Sequence, residues 1–442
     1  MTKPILAALM FFGLPAPSYS SEVSQNVPGF TKVLLMSDFH FDPEKPRGRT
    51  KDFGWPDRAA EDAKDSFKSQ DSSYFLVRSA LQAAQANCSN PAFIVCGGDF
   101  LGHNLPTNDL RGKTEAKLAR LFADLFPGVK VVPTLGNNDT GGIDYSEPGT
   151  TFLGQFETAW CGEVPNASFN SKRSLSFTNL VQNNGSYLAD LPGLSNVTAV
   201  VFNSTLVCNP PLWAQLSART QDLNQILEPL LASAAKRGNV WIIFHIPPGW
   251  DYHNHNKMWR ANERDTFVDM VATNADKITA MFAAHTHKNE FRVVYTNNVP
   301  VGFVSQIPGV AAGHHNNPSF QIATVECATG KIRDLQTYCL TNFSDLADTK
   351  ANWGNFKANW VEEGSFSNTF PQAYNLGDGY YDQKSLNELL RELKPGDTNQ
   401  NAELKNAFLR WCYTGHEEAS NDEATHFSNY LNTLYVIKQG DE

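Results

Sequence analysis

The residues of this chain best equipped for chemistry fall into five short clusters. Asp38 and His40 lie in SDFH, Asp99 in GGDF, Asn137 and Asn138 in GNND, His245 in FHIPPG, and His285 with His287 in HTH. Imidazole and oxygen donors together suit borderline divalent cations such as zinc, manganese or iron. A carboxylate has two oxygens, so an aspartate among them could bridge a pair of ions. Two cations about 3.5–4 Å apart can clamp a phosphate, activate a bound water and steady an in-line displacement. Each cluster is weak alone: a histidine after a strand is commonly structural, and Asp or Asn beside Gly is commonly a turn residue. Their force is collective.

All five clusters follow short apolar runs, KVLLM, AFIVC, VKVVPTL, NVWIIF and ITAMFAA, which read as buried strands. Between the early runs, SSYFLVRSALQAAQA and TEAKLARLFADLF place apolar residues at three- and four-residue spacing, the period of a helix. Strand alternating with helix predicts an α/β fold with a largely parallel sheet. Ligands bind beyond the carboxyl ends of such strands, so the clusters are expected to converge on one edge of the sheet. After Glu290, FRVVYT, VGFVSQIP, FQIATVEC and KIRDLQTYCL predict a second, antiparallel sheet with turns at Asn297 and Gly330. From about Ala347 the pattern turns aromatic and helical, with Cys412 a candidate staple.

A chain of 442 residues with 41% hydrophobic content can bury a large core. Its net charge of −10, without any Lys/Arg-rich run, argues against long nucleic acid as a partner. Small anionic substrates stay open to it, because bound ions dominate the local field. The N-terminus has one lysine, an apolar stretch from Ile5 to Leu14, a proline break and small residues around Ser18 to Ser21. That is the pattern of a signal peptide over residues 1–20. Its apolar core is too short to span a bilayer, so the expectation is a secreted or otherwise exported protein with no transmembrane segment. A periplasm, the medium and a lysosome-like lumen are equally open as destinations. Seven cysteines suit an oxidising compartment with disulfide bonds, the odd count leaving one over. Sequons at Asn87, Asn166, Asn184, Asn196, Asn203 and Asn342 would make it a glycoprotein in a glycosylating host.

In this order, DxH, GD, GN, H and HxH resemble the signature of the calcineurin-like metallophosphoesterases. The resemblance implies a four-layer α/β/β/α sandwich over residues 30–345, followed here by a C-terminal helical subdomain over 346–442. It also implies two divalent ions, with zinc favoured: Asp38, His40 and His287 on one, Asn137, His245 and His285 on the other, and Asp99 bridging. Ala284 stands where the family usually has Gly in GHxH, which calls for a slightly different turn. Within the superfamily the chain is similar to the acid sphingomyelinase-like phosphodiesterases, on SDFHFDP, FHIPPG and His103 four residues beyond Asp99 in GGDFLGH. Purple acid phosphatases place a metal-binding Tyr three residues after the bridging Asp, where this chain has Gly102.

Most relatives read GNHD or GNHE, with the His serving the phosphate or the leaving oxygen. Asn138 replaces it, and an amide can donate a hydrogen bond to a phosphoryl oxygen but delivers no proton, so acid catalysis worth about 10²–10⁴-fold must come from elsewhere. The GNND variant also resembles the endopolyphosphatases, whose phosphate leaving group needs less proton assistance than an alkoxide. His103 is the candidate substitute. His253 and His255, and likewise His314 and His315, are candidates for the rim or plain loop residues. Asn138, Asp139 and Thr140 spell a further sequon, expected to stay bare because a glycan there would block the cleft. The expected function is a dinuclear-metal phosphoesterase, in which a metal-bound hydroxide attacks a phosphodiester or pyrophosphate bond of a nucleotide, phospholipid headgroup or polyphosphate. Lipid-degrading relatives carry an N-terminal saposin domain, and only about ten residues separate the leader from the first strand, which favours small soluble substrates. The alternative is a catalytically weakened protein that keeps its metals and binds phosphate ligands.

Overall fold

The computed structural model describes residues 28–43, 71–103, 105, 107–160, 184–210, 223–251, 256–313, 316–343, 357–394, 402–415 and 426–438. The expected signal peptide, Cys161, Asn166, His253, His255, His314 and His315 lie outside them. In chain order the strands are β1 (Phe30–Met36), β2 (Phe93–Cys96), β3 (Lys130–Pro133), β4 (Tyr187–Asp190), β5 (Val197–Val201), β6 (Asn239–Ile243), β7 (Trp250–Asp251) and β8 (Asn256–Lys257). They continue with β9 (Ile278–Ala283), β10 (Phe291–Thr296), β11 (Val299–Gln306), β12 (Ser319–Glu326), β13 (Ile332–Leu340), β14 (Trp360–Ser365) and β15 (Tyr435–Val436).

Two sheets carry the fold. One has the order β14-β13-β12-β1-β2-β3 and the other β15-β10-β11-β9-β6-β5-β4, while β7 and β8 pair separately. β1, β2 and β3 run parallel, as do β5, β6 and β9. These strands are apolar on both faces because both faces are covered, the usual condition of parallel strands. In the second sheet the division is by alternate residue: Trp241, Ile243, Ala280 and Phe282 belong to the core between the sheets. Val240, Ile242, Met281 and Ala283 instead pack with helices Leu223–Ala235 and Ala261–Thr273. On the first sheet, helix Tyr74–Asn87 buries Val77, Ala80, Leu81 and Ala84, and its N-cap Ser73 accepts from the Leu76 amide. Helix Asn108–Leu125 lies beside it and buries Leu118, Leu121 and Phe122. Helices, sheet, sheet and helices make the four-layer α/β/β/α sandwich.

The strands after Glu290 do not make a sheet of their own. β10 and β11 form a hairpin whose β11 joins β9 in the second sheet, whereas β12 joins β1 antiparallel in the first, with β13 and β14 beyond it. Alternation along a strand reports two faces but not which sheet edge a hairpin extends, which is why the expectation of a separate antiparallel sheet fails. The five clusters likewise come from two sheets rather than one: β1, β2 and β3 supply three, β6 and β9 the other two. The expected turns are present, Asn297 and Asn298 both having positive φ as a two-residue hairpin loop requires, and Gly330 φ +72°.

The C-terminal region is helical, through Phe366–Thr369, Pro371–Leu376, Gln383–Leu393, Ala402–Cys412 and Phe427–Asn432. It also contributes a strand to each sheet, β14 to the first and β15 to the second. Its aromatic residues pack into the main core: Phe408 and Trp411 meet Phe291 of β10, and Tyr381 meets Phe303 of β11. On the first-sheet side, Arg410 pairs with Glu363 of β14. No disulfide joins any of the six described cysteines, and Cys412 accepts a hydrogen bond from Tyr430 instead of acting as a staple. The reason is placement: Cys96 ends β2, Cys339 lies one residue before the end of β13 and Cys412 ends a helix, all three buried. Among the sequons, Asn203 is fully buried, with its amide on the Asn184 carbonyl and its oxygen on Thr205, so it is closed to a glycan. No helix of the described residues is long and apolar enough to cross a membrane.

Trp241 stands between the sheets, its ring 5.7 Å from Phe93 and its indole N–H on the Gly330 carbonyl at 2.8 Å. Trp241→Ala is expected to cost about 3–5 kcal/mol in chemical denaturation, with Trp241→Phe losing less because it keeps the ring.

Candidate metal centre

Each cluster begins one or more residues past the carboxyl end of its strand, and backbone hydrogen bonds tie the turns together. The Asp38 and His40 amides donate to the Gly98 and Asp99 carbonyls, and the Ala284 amide donates to His245 O. The link between sheets is equally direct: His245 Nδ1 lies 2.7 Å from Gly97 O, and the Val310 and Ala311 amides donate to Ser37 O and Asp38 O. Asp38, His40, Asp99, His285 and His287 all have φ between 40° and 76°. Non-glycine residues enter that region at a cost and persist there only where the surroundings over-determine them, commonly at functional sites. Ala284 is not among them, so the methyl group in place of the usual Gly hydrogen is accommodated. Gly136 cannot be replaced in this way, because a Cβ there would overlap the backbone N and carboxylate of Asp99.

The side chains from all five turns meet. Asp99 Oδ2 lies 3.5 Å from His40 Nε2 and 3.3 Å from His245 Nε2, with Asn137 Oδ1 3.1 Å from His245 Nε2. His287 Nε2 is 3.1 Å from His40 Nε2 and 3.6 Å from Asp38 Oδ1. Asp38, His40 and His287 form one group able to hold a cation, and Asp99, His245 and His285 another. The atoms facing the middle are carboxylate and amide oxygens and imidazole nitrogens. His287 Nδ1 faces Ala311 O, so its proton sits there and its Nε2 presents a lone pair to His40 and Asp38. Asp38 Oδ1 is buried without a hydrogen-bond partner among the described residues. Converging lone pairs with too few protons between them need positive charge, and this donor set fits a pair of divalent ions.

The protonation preferences express the same demand. Burial raises Asp38 to about 7 against the lowering effect of His245, the negative neighbour Asp99 adding to the rise. Burial also acts to raise Asp99, but His245, His40 and the Asn138 amide hold it well below the usual carboxylate range. Burial opposes the His245 imidazolium, yet Asp99 and Asp38 push it up to about 9. His285 and His287, driven down by burial to about 3 and about 4, stay neutral and keep their lone pairs.

A calcineurin-like phosphoesterase family model matches residues 31–289, the span that contains all five clusters. The chain belongs to the calcineurin-like phosphoesterases. It is 27% identical over 308 residues to an acid sphingomyelinase-like phosphodiesterase 3b of Homo sapiens, covering 64% of each chain. It is also 27% identical to a sphingomyelinase phosphodiesterase D of Dictyostelium discoideum, over 68% of this chain and 66% of that one. A cyclic GMP-AMP phosphodiesterase of Rattus norvegicus is 24% identical over 75% of this chain and 72% of its own. The chain thus covers slightly less than two thirds of the length of the first two.

Further residues surround and support this centre. Asp71 Oδ1 accepts from the His103 backbone N–H and lies 2.6 Å from His103 Nδ1, although 32 positions separate the two. It arrives there because Ser72 bonds His40 O and Asp42 across a bridge to the DxH turn. The His103 ring stacks on His40, with centroids 4.7 Å apart and planes 2° from parallel, which places it beside the centre. Burial opposes its protonation, but Asp71 outweighs that and raises it. Asn138 is buried and directs both its donors at the central carboxylate: its amide N reaches Asp99 Oδ1 at 2.8 Å and its Nδ2 reaches Oδ2 at 3.1 Å. Asp139 links two turns, accepting from the Phe100, Leu101 and Gly136 amides. Arg111 holds the carbonyls of Asn138, Thr140 and Gly142. The sequence singled out His103 and Asn138 and showed Asp139 as the acidic residue of GNND; Asp71 and Arg111 carried no signal.

Asp139→Ala would leave three buried amides without an acceptor, each worth about 1–3 kcal/mol. Urea unfolding of the metal-free protein should show a loss of at least about 3 kcal/mol, and Asp139→Asn, which keeps one accepting oxygen, should lose less.

Proposed function

We propose that this chain is an exported, dinuclear metal-dependent phosphoesterase that cleaves phosphodiester or pyrophosphate bonds in small soluble substrates. The observation that carries the reading is the convergence of two carboxylates, an amide oxygen and four imidazoles from five turns. Asp38, His40 and His287 would hold one ion, Asn137, His245 and His285 the other, with Asp99 between them. Zinc is favoured by the family resemblance and by an oxidising location, and this mixture of nitrogen and oxygen donors accepts it. When bound, such ions activate a water and neutralise phosphoryl oxygens. The relatives named for sphingomyelin and for cyclic GMP-AMP act on molecules that contain phosphodiester bonds, which supports that bond class.

The chain's own part is positioning and proton supply. Asn138 holds Asp99 by both oxygens and has one further amide hydrogen to offer a phosphoryl oxygen. His103, with Nδ1 directed at Asp71, keeps Nε2 for the proton given to the leaving oxygen. That arrangement, a carboxylate fixing the tautomer of an imidazole acid, replaces the histidine absent from position 138.

Purified protein of known metal content should hydrolyse members of a panel holding bis-p-nitrophenyl phosphate, ATP, polyphosphate, sphingomyelin and a cyclic dinucleotide. Chelation should abolish turnover, and Asp99→Asn should lack it. Two bound cations with no turnover on any member would return the phosphate-binding protein as the better reading. His103→Ala is expected to lower kcat by about 10²–10⁴-fold for alkoxide leaving groups, and far less for p-nitrophenolate, which departs without a proton. Equal losses on both would remove His103 from the role of acid.

A further inference from the structure

We infer that Asp144 and Tyr145, on the loop that follows the GNND turn, set the geometry of one of the two cation positions and thereby its affinity. The inference rests on the two-cation reading above and concerns the position built from Asn137, His245 and His285. An asparagine amide has two ends of nearly equal shape, of which only the oxygen can face a cation. Asp144 decides which end does so. Its Oδ1 accepts from Asn137 Nδ2 at 2.8 Å, and a carboxylate, which only accepts, selects the nitrogen end. Asn137 Oδ1 is left directed toward His245 Nε2 at 3.1 Å.

Tyr145 acts on the next residue of the same position. Its hydroxyl lies 3.3 Å from His285 Nε2 and its ring meets the imidazole edge-on, with centroids 6.0 Å apart. Its backbone N–H donates to Asn137 O at 2.9 Å, so the loop returns onto the residue it orients. Tyr145 has φ 61°, unfavourable for a bulky side chain. The loop around it is held by Arg111 on the Thr140 and Gly142 carbonyls and by the Thr140 hydroxyl on Ile143 O. One short loop therefore supplies a ligand and the supports of two ligands, all on one side of Asp99. Asp38, His40 and His287 draw on other supports, among them Ala311 O for His287. Supports of this kind commonly govern metal affinity about 10–100-fold, and the placement of these two restricts the effect to one ion.

The test titrates metal-free, full-length protein with Zn²⁺ against a competing chelator, with bound metal counted by elemental analysis. Wild type is expected to bind two ions. Asp144→Ala should weaken one of them about 10–100-fold and leave the other as in wild type, while Asp144→Asn, which keeps an oxygen for Asn137 Nδ2, should recover most of the loss. Tyr145→Phe removes only the hydroxyl and should weaken the same ion, so it carries the test if the alanine variant does not fold. Unchanged binding of both ions in Asp144→Ala and Tyr145→Phe, or equal weakening of both ions, overturns the inference alone. Wild type that binds fewer than two ions overturns the two-cation reading, and the inference with it.

Discussion

Asp99 is a carboxylate almost wholly removed from water at the place where the two sheets meet, and the rest of the centre is arranged to satisfy it. A buried negative charge is costly unless paired and hydrogen-bonded. Here the Asn138 amide and side chain bind both oxygens, and His40 and His245 face Oδ2 from either side. Gly98 and Gly136 are required by the same crowding: the chain passes so close to Asp99 that no side chain fits at Gly136. The left-handed backbone at five of the seven candidate ligands follows as well. A strand aims its side chains above and below the sheet, and turning them toward a common point beyond its end takes a sharp reversal, which these residues supply.

The doubled asparagine makes sense within this arrangement. A histidine at position 138 could release a proton; an asparagine amide cannot, and here its Nδ2 and the backbone N–H are both directed at Asp99. The Asp71 and His103 pair stands against His40, and the acid role proposed for His103 would make good what the change removes from the leaving-group side. The first asparagine, Asn137, keeps its oxygen turned to the centre through Asp144. The two adjacent residues thus do different work, one facing the cation position and one holding the carboxylate.

Support for the HxH turn reaches into the C-terminal region. Lys288 and Glu290 lie within three residues of His287 and both are buried. The Lys288 ammonium sits over the rings of Tyr413 and Tyr430, at 4.7 and 5.5 Å, and Glu290 accepts from Tyr430 and from Gln306. The Asn289 amide donates to Cys412 O. Buried charges need such partners, so the aromatic helices are part of what fixes His285 and His287 and not an appendage. Their two strands, one in each sheet, bind the region to both halves of the sandwich.

The sequence by itself determined which residues are chemically capable and that each follows a strand, because apolar runs ending in Asp, Asn or His are local patterns written in consecutive residues. It also determined the layer type, through the alternation of strand and helix, and the family, through the order of five motifs. Only the tertiary structure decided that the hairpins after Glu290 extend two different sheets, that the five turns come from both, and that the described cysteines form no disulfide with one another. It alone decided the supports: Asp71 for His103, Asp144 for Asn137, Tyr145 for His285. Those contacts join residues between 7 and 140 positions apart. Sequence spacing carries no record of which distant side chain will be within 3 Å, since that follows from how two sheets twist and stack once the core has formed.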